Sequence, residues 1–91
     1  MVSRSESRER QNVYKVELIH ANLETALAFA KLALQSDDQR EITRTTQKAC
    51  EAYEEALHSL TTVELTQIEV ESIRTKTAHL DAMLVELERN R

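Results

Sequence analysis

Glu17-Leu-Ile-His20 and Glu55-Ala-Leu-His58 repeat one spacing, E-x-x-H. On a helix that spacing projects a carboxylate and an imidazole from the same face, one turn apart. Two such pairs on facing helices, joined by two further carboxylates, are the ligand set of a carboxylate-bridged di-iron bundle. Composition supplies a simpler origin: Glu accounts for 13 of 91 residues, so a histidine often has one three places before it. His58 shares its polar face with Glu51, Glu54, Glu55 and Thr62. With three helices folded back on one another, His79 falls about 16 Å along the axis from His20. The expectation is no metal and no cofactor, with Glu17, His20, Glu55 and His58 as the set that would hold a metal if one bound. His20 interrupts an apolar stripe and is expected at the core edge with a hydrogen-bond partner.

Covalent chemistry has less to draw on. The single cysteine, Cys50, has Thr46, Ala49 and Glu54 as helical neighbours, and none of these lowers a thiol pKa. The chain contains no glycine and no proline, so phosphate-cradling Gly-rich loops of the Walker or Rossmann type are excluded. A chain committed to helix faces has little material for a concave catalytic pocket. No catalytic residue is expected, and the protein is not expected to be an enzyme.

The same two zeros dictate the elements. Without glycine or proline, helices must end at polar caps. Apolar positions Val13, Val16, His20, Leu23, Leu27, Ala30 and Leu34 alternate steps of three and four, with Ile19, Ala26 and Ala33 as a second stripe. This is the period of one helix face. Ser36, Asp37 and Asp38 are capping residues, and Asp38 has Glu41 at the capping-box distance. A second, alanine-rich helix carries Ile42, Ala49, Ala52, Tyr53, Ala56, Leu57 and Leu60. A third seam runs Val63, Thr66, Val70, Ile73, Thr77, Leu80, Leu84 and Leu87, and Thr61-x-x-Glu64 is read as its capping box. The apolar spans 13–34, 39–60 and 63–89 correspond to roughly 33, 33 and 40 Å of helix. The expected fold is all-α, an antiparallel three-helix bundle. Its alternative is a long two-helix hairpin that forms a four-helix dimer, should the heptad register run unbroken through residues 59–62. Residues 1–12 are expected as a polar tail or frayed helix start, and 13–91 as one domain.

Charge and hydropathy narrow the partners. The formal charge is −4, with basic residues interleaved among acids. Nucleic-acid binding, which needs clustered positive charge, is not expected. No run of 18 apolar residues crosses a membrane, the start MVSRSESRERQN has no apolar signal core, and a lone cysteine suits a reducing compartment. A cytoplasmic location is expected.

Three resemblances attach to particular residues. CEAYEEALHSL resembles the second helix of a tetratricopeptide repeat, with Ala52, Tyr53, Ala56 and Leu57 in matching places, although no second copy of the repeat follows. The layout LETALAFAKLAL, acidic turn, AYEEALHSL, then a helix seamed by Ile73, Leu80, Leu84 and Leu87 is similar to the microtubule-interacting-and-trafficking domain over residues 23 to 89. That resemblance implies an interhelical groove for a partner helix. The pattern A-x-x-F-A-x-x-A-L (Ala26, Phe29, Ala30, Ala33, Leu34) followed by A-x-x-A-Y (Ala49, Ala52, Tyr53) resembles small uncharacterised bacterial helical-bundle proteins and implies the fold without an activity.

Between Ala26 and Leu34 only Lys31 is polar, which is more apolar surface than one internal face requires. Leu27, Ala30 and Leu34 are expected in the core, and Phe29, Leu32 and Ala33 as an interface for a protein partner or a second copy. The function expected is a protein–protein interaction or structural module; the alternative is a metal- or ligand-binding bundle using the E-x-x-H pairs.

Overall fold

The computed structural model describes residues 4–89. Three helices follow one another: α1 Arg4–Gln35, α2 Gln39–Leu60 and α3 Gln67–Arg89. They form an antiparallel bundle in which α1 packs against both α2 and α3, while α2 and α3 touch one another much less. The result is an elongated slab, 56 × 23 × 16 Å between Cα extremes. Of the segment expected as a polar tail or frayed helix start, residues 1–3 lie outside the described residues; from Arg4 the backbone is helical and continuous with α1.

The first turn is built by side chains that replace the missing glycine. Asp38 accepts a hydrogen bond from Arg40 N–H at 3.0 Å and so caps α2. The Glu41 carboxylate reaches the cap through a relay: Asp38 N–H donates to Ser36 Oγ at 3.2 Å, and that hydroxyl donates to Glu41 at 3.3 Å. Such a cap stabilises a helix by about 1 kcal/mol.

The second turn lies further along the chain than the sequence suggests. α2 stops at Leu60, where the Thr61 and Thr62 hydroxyls donate to the carbonyls of His58 and Ser59 at 2.7 and 3.1 Å. The Thr61-x-x-Glu64 box does not form. Glu64 N–H donates instead to Asn12 Oδ1, and Asn12 Nδ2 donates back to Glu64 C=O, both at 2.8 Å. One amide side chain on α1 thereby holds the connection as a neighbouring strand would. The capping box that does form is Thr66-x-x-Glu69: Thr66 N–H donates to the Glu69 carboxylate at 2.9 Å and Glu69 N–H to Thr66 Oγ1 at 3.2 Å. The register through residues 59–62 is broken, and the bundle rather than the long hairpin results. Val63 and Leu65 of the connection remain half-buried against the core.

The core follows the α1 seam Val16, Ile19, Leu23, Ala26, Ala30 and Ala33, all buried. α2 contributes small groups, Thr45, Ala49 and Ala56. Thr45 is polar and buried, and its hydroxyl is satisfied by the Glu41 carbonyl at 2.7 Å. α3 contributes large ones, Ile73, Leu80 and Leu87. Small residues let α2 lie close to α1, and the aliphatic side chains of α3 fill the other side.

Candidate functional site

α1 has a second seam. Tyr14, Leu18, Ala21, Thr25, Ala28 and Leu32 recur in steps of four and three, as the inner seam does, and all six are exposed. Tyr14 is 65% exposed, Leu18 38% and Leu32 48%. The apolar residues of α1 therefore lie on opposite sides of the helix, and α1 is the least one-sided of the three helices although it is the centre of the fold. The outer seam covers about 27 Å of helix, large at both ends and small in the middle.

Its two borders differ in chemistry. On the α3 side stand Glu17, Glu24 and Lys31. Lys76 of α3 donates there to the Glu24 carboxylate at 3.1 Å and to His20 Nδ1 at 2.9 Å. On the α2 side stand Lys15, Asn22 and Phe29, with the Lys48 ammonium 5.5 Å from the Phe29 ring centroid. A cation over an aromatic face is held by the ring quadrupole. Tyr53 of α2 lies on the opposite side of the bundle, near α3; burial, with Asp81 beside it, pushes its hydroxyl up to about 12.

The structure separates the three residues expected as an interface. Ala33, at 1% exposure, belongs to the chain's own core, so its assignment to an outward surface is corrected. Phe29 is half-buried against that core and lies at the α2 border, and Leu32 ends the outer seam. The cause is the position of α1 between two neighbours. Its buried arc centres on Val16, Ile19, Leu23, Ala26, Ala30 and Ala33, leaving His20, Leu27 and Leu34 half-buried at the edge. Val13, expected on the inner face, is exposed for the same reason. The outward residues that went unrecognised, Tyr14, Leu18, Ala21, Thr25 and Ala28, carry a signal in their 4,3,4,3 spacing that the low hydropathy of Ala and Thr conceals.

The residues named for a metal are not assembled into a ligand set. Glu17, Glu55 and His58 are exposed, and His20 is half-buried with its Nδ1 engaged by Lys76. Among the described residues no group of three His, Cys, Asp or Glu side chains is placed to hold a metal ion. Cys50 is a half-buried free thiol. Open grooves run along the helix contacts. One, of about 450 Å³, lies between α1 and α2 beside Tyr14, Leu18 and His58. Another, of about 490 Å³, lies between α1 and α3 beside Ala28, Lys31 and Met83. No described helix is long and apolar enough to cross a membrane. Compared with protein-family models, curated proteins and solved structures, the chain matches none.

Proposed function

We propose that the protein is a non-enzymatic protein–protein interaction module that works through the outer seam of α1. The observation that supports this reading is a heptad-spaced apolar stripe left exposed on the central helix of the bundle. Apolar positions at that spacing are what a partner helix packs against. Contiguous exposed apolar surface of this kind marks interaction sites on small proteins. The free thiol of Cys50 suits a reducing compartment, and the proposed setting is the bacterial cytoplasm.

The test is the native size of the protein in extracts of its own cells. Wild type is expected in a species larger than the 10.5 kDa chain. A Leu18→Glu/Ala28→Glu double variant is expected to shift to the monomer while keeping its helical signal and, purified and dilute enough that both chains are monomeric, the wild-type melting temperature. A monomeric wild type, or a variant that stays in the larger species, overturns the reading.

A further inference from the structure

We infer that the occupant of the outer seam is a second copy of this chain, with the two α1 helices packed antiparallel about a two-fold axis centred between Ala21 and Thr25. The inference rests on the interaction reading above and names its partner.

Self-complementarity carries the argument. In this register Tyr14 meets Leu32 of the second copy, Leu18 meets Ala28, and Ala21 meets Thr25. Large side chains stand at the ends and small ones at the axis, where helices approach most closely. An isologous contact requires a surface that matches itself when turned end for end, and the seam does.

The borders decide the direction. In an antiparallel pair each border lies against the same border of the other chain. On the α3 side, Glu17 then faces Lys31 of the second copy, and Lys31 faces Glu17; both side chains are exposed in the single chain. Arg10 is carried toward the Asp37–Asp38 turn of the other copy. Glu24 meets its own equivalent at the axis, and each is already engaged by a Lys76 ammonium at 3.1 Å. On the α2 side, Lys15 faces Phe29, whose ring already holds the Lys48 ammonium at 5.5 Å, so the charge complementarity rests on the α3-side border. A parallel pairing loses these matches and sets Arg10 beside Lys15. The mixed signs also distinguish a protein partner from an anionic membrane surface, which calls for a basic border.

Sedimentation of the purified full chain over a concentration series tests the pairing through its charges. Glu17→Lys and Lys31→Glu, both at exposed positions, are each expected to weaken the dimer about fivefold through like-charge opposition at two symmetric places. The double variant Glu17→Lys/Lys31→Glu restores the opposite-sign pairs and is expected to recover wild-type affinity. A wild type that stays monomeric at the highest concentration overturns the inference, as does a double variant no better than the singles. A photo-crosslinking residue at Ala28, introduced in cells, separates this inference from the broader reading. An adduct of two chains supports the second copy. An adduct with a different protein alone overturns the second copy and leaves the interaction reading standing. Absence of any adduct overturns both.

Discussion

The two faces of α1 share a period and differ in what covers them. Val16, Ile19, Leu23, Ala26, Ala30 and Ala33 are enclosed by α2 and α3, whereas Tyr14, Leu18, Ala21, Thr25, Ala28 and Leu32 face outward. The inner seam carries its large aliphatic groups, Val16, Ile19 and Leu23, in its N-terminal half and alanines beyond; the outer seam is small through its middle, at Ala21, Thr25 and Ala28. A heptad spacing alone therefore identifies a surface fit for helix packing. Whether that surface becomes core or interface is decided by how many helices the chain has left to cover it. Among the described residues there are two, and both lie on the same side of α1.

The sharpest way to break the comparison is to truncate one leucine on each face. Leu23 is fully buried, so Leu23→Ala leaves a cavity and is expected to destabilise the fold by about 3 kcal/mol. In a domain of this size that lowers the melting temperature by roughly 15 °C. Leu18→Ala, at 38% exposure, is expected to change chain stability by less than about 0.5 kcal/mol. Urea unfolding at a protein concentration low enough to keep the chain monomeric reads both. Equal losses would show that the outer seam is part of the fold.

The inner seam extends one step beyond its apolar part, to Asn12, four residues before Val16. There it ends in the reciprocal pair of 2.8 Å hydrogen bonds with Glu64. Asn12→Ala removes both bonds and frees the connection between α2 and α3. The expected cost is about 1 kcal/mol, together with faster amide exchange in residues 61–66. Gln11→Ala, one position away and exposed, is the control, expected to do neither. A cap comes next in size: Thr66→Ala removes the acceptor for Glu69 N–H and is expected to cost about 1 kcal/mol or less. Thr61→Ala leaves the start of α3 intact.

These local features mark where sequence reading stops. The three helices, the Ser36–Asp38 turn and the third seam through Ile73, Leu80 and Leu87 were legible because each is specified by neighbours within one or two turns. The start of α3 was not. Thr61-x-x-Glu64 and Thr66-x-x-Glu69 satisfy the same local pattern, and what selects between them is Asn12, 52 residues away from Glu64. The direction of the surplus apolar arc was misread in Ala33 for a related reason. Two interleaved stripes on α1 are equivalent until two neighbouring helices fix the centre of the buried arc. Glu17, His20, Glu55 and His58 show the same limit: the E-x-x-H spacing is local, and bringing the two pairs together is not.

The smallest expected effects are those of pH, and they report on the covered side of the bundle. The Thr66 N–H and hydroxyl hold the Glu69 carboxyl below the usual carboxylate range. A carboxylate with a depressed folded pKa stabilises the fold above its unfolded pKa and loses that contribution as pH falls through the folded one. Stability is therefore expected to decline below about pH 4.5, and Glu69→Gln is expected to reduce the decline. Tyr53 works in the opposite sense. Burial, reinforced by Asp81, raises its hydroxyl to about 12, above the unfolded value. Its contribution is complete below about pH 10 and is lost as pH rises toward 12, because ionisation puts a phenolate in a half-buried site beside a carboxylate. Lysines titrate in the same range, so the informative quantity is the difference between wild type and Tyr53→Phe in unfolding free energy against pH. The slope between pH 10 and 12 should be shallower in Tyr53→Phe and unchanged in Leu18→Glu, since Tyr53 lies on the side of the bundle away from the outer seam. A slope that changes with Leu18→Glu would show that the two faces of α1 are energetically coupled and that occupancy of the outer one is felt in the packing of α2 against α3.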